Sequence, residues 1–162
     1  MPRLEHMESL SETWTDMKGT LLIVGGTLLV AVLAVGWSLA VRSTGPAGDV
    51  VAKTTNFRVS MPRILRAGRH TFAYTNEGSV PHELLLFRTD LPGNSLPMKT
   101  DGNVNEESPL LHSVADSGNA TVPGGTAAVP TKEALAPGHY VAVCNLPGHY
   151  HLGMWLDVTV VR

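Results

Sequence analysis

The segment Cys144-Asn-Leu-Pro-Gly-His149-Tyr-His-Leu-Gly-Met154 constrains the fold of this chain more than any other feature of it. It carries a thiol, an imidazole and a thioether, with four residues in each gap. Such side chains can converge on one point only if the chain reverses direction, and Pro147-Gly148 is a typical turn sequence. Residues 138–144 alternate as a strand does, with Cys144 on the inward face. We therefore expect a strand ending at Cys144, a turn, and a second strand that restarts after Met154.

This donor set indicates copper. A soft thiolate, an imidazole and a weak, distant thioether suit copper better than magnesium, and zinc sites normally take four strong N, S or O ligands. A second imidazole would complete the set. His82 is well placed to supply it, because strand alternation puts it on one face with Leu84 and Leu86, and two adjacent strands would bring it beside Cys144. The predicted metal ligands are His82, Cys144, His149 and Met154.

The neighbours of Cys144 argue against other copper sites. A binuclear centre needs a second cysteine four residues later, where this chain has Gly148, and multicopper oxidases flank the cysteine with histidines, where this chain has Val143 and Asn145. Cys144 is the single cysteine, so no disulfide forms within the chain. Nucleophile–base motifs are lacking as well, so the sequence predicts no catalytic residues and no enzyme.

Residues 50–162 resemble the cupredoxins, the blue copper proteins that include plastocyanin and azurin. The resemblance rests on Asn76-Glu-Gly-Ser-Val-Pro-His82-Glu, on Pro137-Gly-His-Tyr140 and on Cys144-x4-His149-x4-Met154. It implies a Greek-key β-sandwich with one copper ion, cycling between Cu(I) and Cu(II), near one end, and it implies that Met154 is the weak axial ligand. Family members often have Asn, Asp or Ser after the first histidine, where this chain has Glu83.

The rest of that region predicts an all-β domain. Short β-prone runs separated by Gly, Pro and Asn favour an antiparallel sandwich or barrel. Residues 90–98 have a loop-like composition, and residues 105–115 are predicted to form a short helix. The strand candidates are Thr55–Ser60, His70–Asn76, Glu83–Arg88, Ala127–Pro130, Gly138–Cys144 and Leu156–Val161.

A membrane segment is predicted before this domain. The run from Gly19 to Val41 has no charged residue, and as a helix it would span roughly 34 Å, enough for a hydrocarbon core of about 30 Å. Cleavage as a signal peptide near Ser38-Leu39-Ala40 is the alternative, although the apolar run is long for that role. We expect an uncleaved signal anchor. The positive-inside rule does not decide the orientation, and the resemblance implies an extracytoplasmic (periplasmic or extracellular) copper domain.

The first residues add an amphipathic pattern. Apolar side chains recur every three or four residues over 1–18, which predicts a short helix leading into the membrane segment or docking a partner subunit. The predicted organisation is a cytoplasmic amphipathic lead over 1–18, a transmembrane helix over 19–41, a tether over 42–53 and a copper-binding domain over 54–162.

These features together predict a membrane-anchored carrier of single electrons. Redox proteins such as a cytochrome or a membrane oxidase or reductase are the expected partners. A small-molecule substrate is not expected, and a net charge of -2 gives no basic excess for nucleic acid. Two alternatives stay open: a module for copper storage or delivery, and an accessory subunit of a membrane oxidase or reductase.

Overall fold

The computed structural model describes residues 47–162. The amphipathic lead predicted over 1–18 and the transmembrane helix predicted over 19–41 lie outside this range. Within residues 47–162, no helix is long and apolar enough to cross a membrane.

The described region is a sandwich of two β-sheets. One sheet has four strands in the order β2-β1-β4-β7, and the other has five in the order β3-β9-β8-β5-β6. A single 3-10 turn, Gly93–Ser95, lies between β5 and β6. The strands are β1 Val50–Thr55, β2 Arg58–Ser60, β3 Ile64–Arg66, β4 Thr71–Asn76, β5 Leu85–Arg88, β6 His112–Asp116, β7 Thr126–Pro130, β8 Gly138–Val143 and β9 Trp155–Val161.

The strand pairing differs from the predicted antiparallel arrangement in two places. β1 runs parallel to β4 and β3 runs parallel to β9, whereas the other pairs are antiparallel. Neighbours in the sheets are mostly distant in sequence, so the chain crosses repeatedly between the two layers. The all-β sandwich itself is confirmed.

Strands β5 and β8 each contribute to two hydrophobic cores. Tyr140, Ala142 and Cys144 belong to the core between the sheets, and Val141 and Val143 belong to a second core on the outer face of the five-stranded sheet. The alternation expected along β8 is therefore confirmed. Neither face of β8 is left to solvent, because the segment between β5 and β6 folds over its outer face.

That covering segment is where the sequence-based secondary structure was wrong. The helix predicted over 105–115 is absent: residues 105–111 form turns, and His112–Asp116 is strand β6. Val114 and Ala115 are buried where β6 pairs with β5, which fits a strand covered on both faces better than an amphipathic helix. Pro109 also interrupts the predicted helix.

The tether and one short strand also differ from the prediction. The tether predicted over 42–53 is too long, because strand β1 already begins at Val50. Paired with β4 and β2, this strand belongs to the sandwich. Strand β3, Ile64–Arg66, was not predicted; its short run alternates exposed, buried and exposed residues.

Candidate metal centre

The candidate site lies where β5 and β8 meet at one end of the sandwich. The two strands are antiparallel neighbours, with Leu85 opposite Val143. His82 comes shortly before β5 and Cys144 directly after β8, so this register brings both to the same edge, as the sequence predicted.

A type II turn returns the chain from Cys144 toward His149. The His149 backbone N–H donates to the Leu146 carbonyl over 3.0 Å, and Gly148 has a φ of 82°, a value that glycine adopts without strain. Met154 then closes the loop: its carbonyl accepts from the Cys144 N–H at 3.1 Å, and its own N–H donates to the His149 carbonyl at 3.2 Å. The predicted turn at Pro147-Gly148 is confirmed.

Three predicted ligands converge. The Nδ1 atoms of His82 and His149 are 3.2 Å apart, and His149 Nδ1 is 3.3 Å from Cys144 Sγ. All three donor atoms lie within 4.8 Å of one another. Met154 is fully buried in the core between the sheets, as are His82 and Cys144, whereas His149 is partly exposed.

These spacings fit one metal ion. Two ligands bound at about 2.0–2.1 Å to one ion at tetrahedral or trigonal angles lie roughly 3.3–3.6 Å from each other. The distance of 3.3 Å between His149 Nδ1 and Cys144 Sγ lies at the lower edge of that range, and the 3.2 Å between the two imidazole nitrogens lies just below it. A thiol, two imidazoles and a nearby methionine are also the donors that a copper electron-transfer site requires.

Burial keeps the candidate donors uncharged until a cation arrives. It lowers the pKa of His82, with a further contribution from the nearby His149, and it lowers the pKa of His149 as well. It raises the pKa of the Cys144 thiol. Neutral imidazoles are ready to bind a metal, and the thiolate becomes favourable once a positive ion neutralises it.

Asn56, which the sequence analysis did not identify, orients His82. Its Oδ1 atom accepts a hydrogen bond from His82 Nε2 at 3.1 Å, which fixes the proton on Nε2 and leaves the Nδ1 lone pair facing His149. The Ser79 N–H donates to the same oxygen at 3.0 Å. Gly78 permits the close approach, since a Cβ there would lie only 2.7 Å from His82 Nε2.

Asn76 holds the segment that leads into His82. Its side-chain amide donates to the carbonyls of Val80 at 2.8 Å and Thr121 at 2.7 Å, and its Oδ1 accepts from the Gly78 N–H at 2.8 Å. Asn76 is fully buried, so these bonds satisfy polar groups that water cannot reach. These hydrogen bonds explain why an asparagine begins the Asn76–His82 motif.

Glu83 links the two strands that carry His82 and Cys144. Its N–H points at Cys144 Sγ over 3.4 Å, and its carboxylate accepts from the Asn145 N–H at 2.8 Å. The carboxylate thus ties the segment of His82 to the backbone that follows Cys144. Burial, the largest influence on Glu83, raises its pKa against the effect of that hydrogen bond.

The segment between β5 and β6 supports the ligand loop from outside. The buried Tyr150 hydroxyl donates to the Gly93 carbonyl at 2.8 Å and accepts from the Leu96 N–H at 2.9 Å. Asn145 pairs with Val104 in both directions, at 2.6 and 3.0 Å. Leu96 is buried in the second core. The sequence of the segment between β5 and β6 contains no motif that predicts its contact with the ligand loop.

His151, two residues after the candidate ligand His149, is exposed. Its ring lies near Gly102, where an added Cβ would be 3.5 Å from Nε2. Phe57, in contrast, touches the site directly: its ring meets those of His149 and His82 edge-on, with centroid distances of 4.9 and 6.0 Å.

Comparison with known proteins decides the family. The model of the sulfocyanin (SoxE) domain matches residues 33–162, most of the chain. This chain is a member of the sulfocyanin family. It is a blue copper protein of the cupredoxin class, it binds one copper ion, and the family resemblance drawn from its motifs is confirmed.

One of the similar solved structures, reduced auracyanin, supports the fold. Reduced auracyanin from the photosynthetic bacterium Roseiflexus castenholzii is 22% identical, with 69% of this chain and 95% of that chain covered and a TM-score of 0.52. Rusticyanin from Thiobacillus ferrooxidans is 20% identical over 69% of this chain and 75% of that chain, with a TM-score of 0.47. No curated protein matches significantly in sequence.

Proposed function

We propose that this sulfocyanin carries single electrons through one copper ion bound by His82, Cys144, His149 and Met154, and that it has no catalytic role. The observation that carries the proposal is the convergence of His82 Nδ1, Cys144 Sγ and His149 Nδ1 at the end of the sandwich. Bound copper supplies a one-electron couple between Cu(I) and Cu(II).

The protein around these donors favours rapid electron exchange because it holds them before the metal binds. His82 and Cys144 are tied to adjacent strands, Asn56 sets the His82 ring, and the Glu83 N–H points at the thiol sulfur. Donors that need little rearrangement between two oxidation states make a site suited to electron transfer rather than to substrate binding.

His149 is the proposed electron port. It is the one member of the four-residue set that reaches the surface, whereas His82, Cys144 and Met154 are buried. Leu152, in the same loop, is 60% exposed and adds an apolar contact next to it. A redox partner therefore meets the site on this side of the loop.

Voltammetry of the copper-loaded protein tests the carrier function. We expect a reversible one-electron wave, and we expect repeated reduction and reoxidation to bleach and restore the same visible band. An irreversible wave, or release of copper(I) to a chelator within the first cycle, would instead support copper storage or delivery.

We further propose that residues 19–41 anchor the protein and that the copper domain lies outside the cytoplasm. The charge-free run and its length support the anchor. Tethering would raise the concentration of the carrier near membrane-bound redox partners such as a cytochrome or an oxidase or reductase. Membrane fractionation with mass spectrometry of the mature N-terminus tests this proposal, and a soluble protein that begins after residue 40 would contradict it.

Deletion of residues 1–18 tests whether the lead docks a partner subunit. A carrier that moves between partners should purify alone with or without the lead. Co-purification of the intact form with an oxidase or reductase, lost on deletion, would make the protein an accessory subunit.

A further inference from the structure

A cleft of about 490 Å³ opens between β2, the connection to β3 and the far side of the ligand loop. Its walls come from the turn before β2, from β2 itself and from the residues that join the loop to β9. The cleft is separate from the group of candidate donors. Phe57, which lines the cleft, also contacts that group.

Part of the cleft lining is apolar. Phe57, Met61 and Trp155 are half-buried there, and Leu152 stands largely exposed at the edge. The ring of Phe57 lies 4.9 Å, centroid to centroid, from that of His149. A group seated in the cleft would therefore contact a side chain that touches the proposed electron port.

The cleft also carries positive charge. Arg58 and Arg63 line it, both are exposed, and no carboxylate is among its lining residues. Within residues 47–162, neither arginine forms an ion pair. The stretch 58–69 carries four arginines and no acidic residue, in a chain whose net charge is -2.

Arginines beside an apolar pocket are typical of protein recognition, since the guanidinium pairs with carboxylates and gives up its hydration more easily than an ammonium group. Complementary charge would also speed encounter with an acidic partner. A lipid surface would meet the same charges, but a concave cleft favours a protruding protein segment over a flat layer of headgroups.

We propose that this cleft docks an acidic redox protein, whose carboxylates pair with Arg58 and Arg63 while an apolar side chain enters beside Phe57 and Leu152. The inference rests on the proposed carrier function and adds to it the charge of the partner and the direction of its approach.

Stopped-flow electron transfer tests the cleft, with a reduced acidic c-type cytochrome as the probe and the copper(II) form of the full chain in detergent. The test variant is Arg58→Gln/Arg63→Gln. The matched control, Arg69→Gln/Lys132→Gln, removes the same charge from exposed residues outside the cleft. At about 10 mM ionic strength the Debye length is about 30 Å, so charge effects are large.

We expect the second-order rate constant to fall on the order of tenfold in the cleft variant and less than about twofold in the control, with the difference lost at high salt. Leu152→Ser should slow the reaction without changing its salt dependence. Equal rates in the cleft variant and the control would overturn the inference. It would also be overturned if vesicles of phosphatidylcholine and phosphatidylglycerol (3:1) lost binding in the cleft variant while its rate with the cytochrome stayed at the wild-type value.

Oxidation of the reduced protein by hexacyanoferrate(III) separates this inference from the proposed function. If this small oxidant takes one electron from the reduced wild type and the cleft variant shows no defect with the cytochrome, only the docking cleft is wrong. If the wild type is not oxidised at all, the carrier function fails and the cleft has no redox role.

Discussion

Histidines at the two ends of the sandwich have opposite electrostatic properties. At the metal end, burial lowers the pKa of His82 and of His149. At the other end, one residue before β4, the ring of His70 is bonded to the Asp49 carboxylate at 2.5 Å and to the Arg66 carbonyl at 2.8 Å. Burial opposes charge on His70 too, but these two acceptors outweigh it and raise its pKa.

Burial acts on both rings, so their hydrogen-bond partners explain why the pKa of His82 is lowered and that of His70 is raised. His82 has an amide oxygen on one nitrogen and a second imidazole on the other, so its ring is neutral and offers a lone pair to a metal. Both acceptors of His70 favour a ring that donates from both nitrogens, so they stabilise its protonated, charged form. The same side chain is therefore a ligand at one end and half of an ion pair at the other.

The largest effect should come from His82→Ala compared with His70→Ala. Loss of His82 removes a buried donor, so we expect the intense visible band of the copper protein to be lost. Loss of His70 should leave the band unchanged because its ring is at the far end of β4. Absorption spectra after copper loading give the answer, and far-ultraviolet circular dichroism shows whether both variants fold. A band that survived in His82→Ala would remove this histidine from the ligand set.

Asn56→Ala should have the next largest effect. It removes the acceptor that fixes the His82 tautomer, and loss of such a partner typically weakens metal binding by about 10–100-fold. Chelator competition measures the affinity, and voltammetry shows the accompanying change in potential. Asn56→Asp keeps an acceptor oxygen and should recover most of the affinity. If both variants bound copper like the wild type, Asn56 would have no orienting role.

A pair of tyrosines tests how firmly the ligand loop is held. Tyr150→Phe leaves the Gly93 carbonyl and the Leu96 N–H without their partner and should cost about 1–3 kcal/mol of unfolding free energy. Tyr140→Phe loses one bond, from its hydroxyl to the Ala136 carbonyl at 2.7 Å, and should cost less. Denaturant unfolding compares the two; a larger loss in Tyr140→Phe would show that the segment between β5 and β6 contributes little to holding the loop.

The smallest effect should come from the Asp49–His70 pair. The raised pKa of His70 means that its contribution is complete below about pH 6.5 and is lost as pH rises through the raised value. The hydrogen bond from the Thr71 N–H, followed by that from His70, lowers the pKa of Asp49 below 3.8, so its contribution is present above that pH and is lost on further acidification.

Asp49→Asn should therefore destabilise the protein between about pH 4 and 6.5, by about 0.5 kcal/mol for a pair this exposed. At pH 9 the share of that loss that depends on the charged His70 ring should be gone, while the share from the Thr71 N–H bond to Asp49 remains. Thermal unfolding across this pH range measures it, with His112→Gln as a control at another exposed histidine pair. A loss that is independent of pH would mean that the pair contributes through packing alone.

Much of the fold was predictable because strand alternation is a local signal. Cys144, Tyr140 and Ala142 share a face for the same reason that Leu84 and Leu86 do, and the pairing of β5 with β8 keeps both sets in the core between the sheets. The spacing of Cys144, His149 and Met154 likewise specified a loop with a turn at Gly148.

What the sequence did not reveal depends on contacts between distant segments. Asn56 and Phe57 carry no motif, and only the pairing of β1 with β4 brings them near His82. The segment over 105–115 has apolar spacing that suits a helix, yet the buried edge of β5 requires a strand there. Tyr150 supports the ligand loop because the segment between β5 and β6 covers it.

A copper titration of the apoprotein followed by visible absorption tests the central claim most directly. We expect an intense thiolate-to-copper charge-transfer band to grow until one equivalent per chain and then stop, and we expect Cys144→Ser to show no such band. A pale complex, saturation at two equivalents, or a band that persists in Cys144→Ser would contradict the copper site described here.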